Sequence, residues 1–197
     1  MVFMMTACAN EYKSMHSVAG DPLCVEKFRP AFSADLYKAN VQVNGKTLSG
    51  LLLIKAMADS STRVVFSTET GFKFFDFSFG GQQDFKVYYV MKKLDKKVVV
   101  DALRNDFELL LMRWVNGTNP FVAAMDAQWY HGFPKGKKIS YYITDSLCNE
   151  LYRAELASKR KKLVTVQLYN TIGQVPDSMF VQHFNFNFTI SLKKLER

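Results

Sequence analysis

The sequence predicts a mainly β (α+β) domain: a strongly curved antiparallel sheet or incomplete barrel, with one main amphipathic helix packed in or across it. Three observations carry that expectation. Apolar residues between positions 34 and 192 recur at every second place in most segments, the period of a strand with one buried face. Short turns join these runs, which suits antiparallel neighbours, because parallel neighbours need crossovers of a dozen residues or more. One segment, residues 97–115, changes to helical spacing.

The first alternating run sets Tyr37, Ala39, Val41 and Val43 against Lys38, Asn40 and Gln42. Asn44-Gly45 follows it, the strongest short hairpin signal. The return strand places Leu48, Gly50, Leu52 and Ile54 on one face. A second pair runs from Arg63-Val64-Val65-Phe66 to Phe74–Phe79 across a turn at Glu69-Thr70-Gly71. Gly80-Gly81 ends that strand, and Phe85, Val87, Tyr89 and Met91 line one face of the next.

Val99, Leu103, Phe107, Leu110, Leu111 and Trp114 then fall at helical spacing, with Asp101, Arg104, Asn105 and Glu108 opposite and Asn116-Gly117 as the stop. Leu109 and Met112 widen the apolar arc, so the helix is expected to sit inside a concave sheet. Residues 116–138 read as a long connection whose exposed part carries Trp129 and Tyr130. Strand patterns resume at Ile139–Ile143, and a hairpin joins residues 149–157 to 163–170 through Ser158-Lys159-Arg160-Lys161-Lys162. The last strand reads cleanest: Phe180, Phe184, Phe186, Phe188, Ile190 and Leu192 alternate with polar residues. The expected total is eight or nine strands and one main helix.

The chain has 197 residues, 48% hydrophobic and 22% charged, which allows one domain with a real core and argues against long-range disorder. No apolar run approaches the roughly 18 residues that a spanning helix needs. The formal charge of +8 suits an anionic partner without choosing among nucleic acid, lipid headgroups and acidic proteins. For nucleic acid, stacking platforms need aromatics on the basic face; the phenylalanine row of the last strand contains no lysine, so no nucleic-acid partner is expected.

Catalytic chemistry is sparse. The three histidines, His16, His131 and His183, stand in no His-Glu-x-x-His motif, and no Cys/His spacing suits zinc. Nucleophile elbows, phosphate-cradling loops and dinucleotide fingerprints are absent. Gly80-Gly81 reads as a tight turn, and Asp76 as a residue on the polar face of its strand. No catalytic residue, metal or cofactor is expected. Asn116-Gly117-Thr118 and Asn187-Phe188-Thr189 match a glycosylation pattern that arises often by chance. Of three cysteines, Cys24 and Cys148 read as separate buried thiols, though an oxidising compartment would permit a bridge. What remains is apolar capacity: 17 Phe and 9 Met along strand faces, which fill a core or line a space for an acyl chain.

At the start of the chain, Met5-Thr6-Ala7-Cys8 fits the four-residue box that ends a bacterial lipoprotein signal. Only Met1–Met5 precede it, short of the 7–15 apolar residues and basic segment of a full signal, so residues 1–7 read as a remnant. Residues 8–33 read as a tether from a lipidated Cys8, and residues 34–197 as a single domain.

With that context, residues 34–192 resemble the lipoprotein-carrier and lipoprotein-acceptor (LolA/LolB-like) family of Gram-negative envelopes, in particular small Bacteroidota outer-membrane lipoproteins. The likeness rests on "LSGLLLIK", "STRVVFSTETGFKFFDFSF" and "FKVYYVMKKLDKKVVVDALRNDFELLLM", which give hairpins, an E-x-G turn and a helix after the first sheet section. The resemblance implies an incomplete barrel whose apolar cavity holds acyl chains. The expected protein is therefore a lipid-anchored, periplasm-facing outer-membrane lipoprotein that binds acyl chains without catalysis. Leu103, Phe107, Leu110, Phe184, Phe186 and Phe188 are the candidate lining. Lys159, Arg160, Lys161 and Lys162 are candidate headgroup contacts. The alternative is an envelope adaptor with a filled core that binds other envelope proteins.

Overall fold

The computed structural model describes residues 10–80, 83–172 and 175–196; Cys8 and the rest of the expected lipobox lie outside them. Among the described residues, thirteen strands form one sheet, and one α-helix lies against its concave face. The strands are β1 (His16–Ser17), β2 (Ala34–Val43), β3 (Lys46–Ala56), β4 (Thr62–Ser67), β5 (Lys73–Gly80) and β6 (Gln83–Val90). After helix α1 (Lys97–Leu110) come β7 (Phe121–Met125), β8 (Gln128–Lys135), β9 (Lys138–Thr144), β10 (Leu151–Ala157), β11 (Lys162–Ile172), β12 (Val175–His183) and β13 (Phe188–Lys194). Their order across the sheet is β1-β7-β8-β9-β10-β11-β12-β13-β2-β3-β4-β5-β6, all antiparallel, with β1 and β6 as unpaired edges. The sheet is curved and unclosed, as the sequence predicts.

Alternation sets the register. Tyr37 pairs with Leu52 and Ala39 with Gly50, and all four point inward. The Asn44-Gly45 turn has positive φ at both residues (47° and 77°), the primed geometry that matches strand twist. At Gly50 a Cβ would run into the backbone carbonyl oxygen of Ser67, so glycine lets β3 and β4 approach closely. Aromatic rings fill the middle of the core: Phe75 stacks on Phe77 at 4.6 Å between centroids, and Phe107 of α1 meets Phe75 and Phe79 at 5.8 and 6.0 Å. Each such ring removed from water contributes about 1.5–3 kcal/mol, which binds the helix into the sheet.

Helix α1 ends earlier than its apolar spacing predicts. Met112 turns left-handed (φ 52°), and a short 3₁₀ segment at Arg113–Asn116 follows. The apolar pattern continues because Met112, Trp114 and Val115 are still buried, now from a different backbone. Periodicity reports burial, and the two conformations share it here.

Four further expectations are corrected. Residues 116–138 are not a long connection: they form the β7–β8 hairpin, followed by the β8–β9 turn. Its two-residue turn, Asp126-Ala127, takes positive φ at both positions (50° and 60°) without a glycine, so the usual signal is missing. Tyr130, expected on the exposed part, is buried.

The cleanest predicted strand is two strands. β12 ends at His183, the chain bends through Phe184–Asn187, and β13 begins at Phe188. The Phe/Asn alternation continues through the bend, where Phe184 and Phe186 are exposed.

The tether is folded from Asn10 onward. β1 pairs with β7, a 3₁₀ turn at Pro22–Phe28 begins on an Asp21 cap, and Val25 is fully buried. Cys24 and Cys148 are not separate thiols. They form a disulfide, with Cα atoms 6.4 Å apart across a sequence separation of 124. Contacts so distant in sequence leave no local pattern.

Asp76 lies on the face of β5 away from Phe75 and Phe77 yet is buried, held by Arg63 at 2.5 and 2.9 Å and by Lys73 at 3.1 Å. Burial alone would raise its pKa; the hydrogen bonds and charges of Arg63 and Lys73 outweigh that and hold the carboxyl below the usual carboxylate range.

Candidate functional site

The inner face of the sheet does not close fully on α1. A cavity of about 290 Å³ remains between the helix and strands β2, β3 and β13. Its inner wall is Leu52, Phe66, Phe75 and Phe107, all buried. Its outer edge is Val43, Val98 and Phe186, which are exposed, Val98 by 73%. Among the described residues, Asn44 is the only polar one in the lining. The volume lies near the roughly 300 Å³ lower end for small-ligand pockets.

The cavity follows from sequence. Past Tyr37 the β2 residues that line the cavity are short, Ala39, Val41 and Val43, and so are Ala102 and Val99 of α1. Where β5 faces the same helix, Phe75, Phe77 and Phe79 fill the space. The void is therefore at the β2–β13 end of the helix groove and not along all of it.

Of the six predicted lining residues, Leu103, Phe107, Phe186 and Phe188 line this cavity together. Leu110 is buried but lies in the filled core outside the lining. Phe184 stands on the bend, half exposed, beneath the Lys162 ammonium at 4.7 Å. Lys159, Arg160 and Lys161 sit exposed on the β10–β11 turn. Sequence reasoning did not single out Val98, Ala102, Ile190 or the β2 and β3 residues as lining. Alternation marks them as inward, but says nothing of which inward residues leave a gap.

A second recess of about 480 Å³, lined by both polar and apolar side chains, adjoins the cavity, and Val98, Ala102 and Phe186 line both. Its polar lining includes Lys97, Asn105, Asp106, Lys138, His183 and Asn185. His183 Nε2 lies 2.9 Å from Asp106, with both side chains buried, and its ring rests against Phe186 and Phe188 at 4.5 and 4.8 Å. Burial pushes the Asp106 carboxyl up; the hydrogen bond and charge of His183, with the charge of Lys138, oppose it. A carboxylate–imidazole pair is part of many hydrolytic sites. Here no serine, threonine, cysteine or tyrosine lines the recess among the described residues. The pair fastens α1 to the end of β12, beside the two phenylalanines that wall the cavity.

One other cluster joins Cys24, Cys148 and His131, whose ligand atoms lie within 4.8 Å of one another. With the two sulfurs bonded to each other, no thiolate is offered to a metal. Burial lowers the His131 pKa, and its Nε2 lies 2.9 Å from Thr144 Oγ1.

No protein-family model and no curated protein sequence matches the chain. Among solved structures, the chain is similar to a DUF1329 family protein from Desulfovibrio piger, with a TM-score of 0.53, 12% identity, and 88% of this chain and 89% of that one covered. A domain assigned as an outer membrane lipoprotein-sorting protein from Vibrio parahaemolyticus aligns with a TM-score of 0.46 and 8% identity, over 89% of this chain and 90% of that one. At 12% identity the likeness to the first is one of fold alone. Among the described residues no helix is long and apolar enough to cross a membrane.

Proposed function

We propose that this chain is a lipid-anchored cell-envelope protein that holds an acyl chain in the cavity between α1 and strands β2, β3 and β13, without catalysis. The observation that carries the reading is the cavity itself, lined by apolar side chains except for Asn44 and opening past Val43, Val98 and Phe186. Burial of methylene groups there contributes about 0.8 kcal/mol each.

The anchor is Cys8, behind Met5-Thr6-Ala7, and the compartment is the periplasmic side of an outer membrane. That part rests on the lipobox and the LolA/LolB resemblance. The Cys24–Cys148 disulfide suits the same oxidising compartment. An adaptor role with Trp129 and Tyr130 as the contact has less support, since Tyr130 is buried.

A dansyl-labelled fatty acid tests the binding. The expected result is saturable fluorescence enhancement, displaced by unlabelled fatty acid, and native mass spectra of the chain with one acyl lipid retained. Absence of both overturns the reading. The anchor is tested separately: alkyne-palmitate label should be incorporated in a Gram-negative host and lost in Cys8→Ser.

A further inference from the structure

We infer that the rim of the sheet around the cavity mouth is a docking face for an anionic bilayer surface. Strand order fixes which connections share that rim. In an antiparallel sheet alternate connections fall on the same side, so the β2–β3, β4–β5, β8–β9, β10–β11 and β12–β13 turns, with the segment from β6 to α1, all lie together. The backbone bond from Asn44 N to Asn187 O and that from Phe184 N to Leu163 O tie neighbouring turns along it.

The connections of the two rims differ in charge. Those of the mouth rim carry Lys137 at one turn and Lys159, Arg160 and Lys161 at the next, with Lys135, Lys138 and Lys162 on the flanking strand ends and Glu69 and Asp95 as acidic residues. Lys92, Lys93, Lys96 and Lys97 lead into α1 beside Val98. Of these, Lys97 is paired with Asp101, Lys135 with Glu108 and Lys162 with Glu155. On the opposite rim the described strand connections, residues 57–61, 126–127 and 145–150, bring Asp59, Asp126, Asp145 and Glu150 without a lysine or arginine, and Lys55, Arg63, Lys193 and Lys194 stand on flanking strand ends, Arg63 paired with Asp76 and Lys194 with Asp35.

Exposed apolar groups follow the positive charge. Phe72, Val98, Phe184 and Phe186 are 76, 73, 48 and 40% exposed, and all four stand on the basic rim. On the acidic rim Leu147 and Met57 are 75 and 36% exposed, in connections that contain no lysine. Lysines ringing exposed phenylalanines match the layered chemistry of a bilayer surface, where phosphate lies above hydrocarbon. Nucleic acid would need the rings as stacking platforms beside a phosphate track; here Phe186 instead walls an apolar cavity, which favours lipid. The headgroup role of Lys159–Lys162 thus becomes one part of a whole face, and docking would aim the mouth at the bilayer. The inference rests on the acyl-binding reading only for that last step.

Vesicle co-sedimentation tests it, using the full chain with Cys8→Ser so that no lipid is attached at residue 8. The probes are phosphatidylcholine vesicles with and without about 30% phosphatidylglycerol, whose anionic headgroups attract lysines near the surface. Binding is expected on the anionic vesicles only, weakening as salt rises. Lys159→Glu with Lys161→Glu should weaken it at least tenfold. Phe72→Ser with Phe184→Ser should weaken it severalfold at unchanged charge. Lys55→Glu with Lys193→Glu, the same charge change away from the mouth rim, should leave it within twofold; circular dichroism melts confirm that all variants fold. Equal loss in the Lys55/Lys193 variant, no binding to anionic vesicles, or equally tight binding to single-stranded DNA that ignores the phenylalanine changes would each overturn the inference. The dansyl fatty-acid titration is run on the same samples: vesicle binding without fatty-acid binding keeps the docking face and removes the acyl reading, and the converse removes only the docking face.

Discussion

His183 Nε2 sits 2.9 Å from the Asp106 carboxylate, with 3% and 1% of the two side chains exposed, and so joins α1 to the end of β12. The pair is a structural fastener with a pH signature. Burial raises the Asp106 pKa in the folded chain, whereas the unfolded chain ionises near the ordinary value of about 3.9. Between those two values the folded form holds a proton that the unfolded form has lost, so this group's contribution falls as pH rises through the folded pKa. His183→Leu removes the partner that opposes the rise. Urea unfolding should show the variant about 3 kcal/mol less stable at pH 8, with a smaller deficit at pH 5. In Asp106→Asn/His183→Leu that pH dependence should vanish. A deficit equal at both pH values in the single variant would refute the assignment.

Asp76 behaves with the opposite sign. Arg63 and Lys73 hold its carboxyl below the ordinary range against the effect of burial. Its contribution is present above the unfolded value, near pH 4, and is lost as pH falls through the lower folded value. Asp76→Asn should cost about 2 kcal/mol at pH 7, between the roughly 0–1 of exposed pairs and the 3–5 of buried ones, because both cations are partly exposed. The gap between the variant and the parent should close below pH 4, measured by chemical unfolding across pH 2.5–7. A gap that stays constant would mean that the loss is one of packing.

The sheet was legible because alternation, turn chemistry and one helical stripe agree from residue 34 onward. Pairing of Tyr37 with Leu52 follows from Asn44-Gly45 alone once the turn is recognised. What stayed hidden is long-range or unsignalled. Asp126-Ala127 makes a hairpin turn without glycine, and Phe184–Asn187 bends while keeping a strand's alternation. Of the candidate site, the helix residues Leu103 and Phe107 and the row Phe186–Phe188 could be named, because large apolar residues on amphipathic elements point inward. The cavity itself arises from small residues, Ala39, Val41 and Ala102, which have no distinguishing mark in a chain read one element at a time.

The Cys24–Cys148 bridge closes a loop of sequence separation 124, for which chain entropy alone gives about 4–5 kcal/mol. At roughly 2–4 °C per kcal/mol for a chain of this size, Cys24→Ala/Cys148→Ala should lower the thermal midpoint by about 10–15 °C. Thiol titration in denaturant on the Cys8→Ser chain should find no free thiol without reductant and two after reduction. Two reactive thiols in that unreduced chain would show the bridge to be absent.

Leu103 and Leu110 lie on the same helix, both buried, but only Leu103 borders the cavity. Their replacement by tryptophan separates an open interior from a filled one. In close-packed surroundings the added ring forces strain of about 1–3 kcal/mol, and Leu110→Trp should lose that much in urea unfolding. Leu103→Trp can turn its ring into the 290 Å³ space, so its stability should stay within about 1 kcal/mol of the parent. The same ring occupies the acyl site, so dansyl fatty-acid affinity should fall at least tenfold in Leu103→Trp, while Leu110→Trp, where folded, should bind within threefold of the parent. Equal destabilisation of the two variants would mean that the space beside Leu103 is filled in solution. Preserved fatty-acid affinity in Leu103→Trp would move the binding site elsewhere on the molecule.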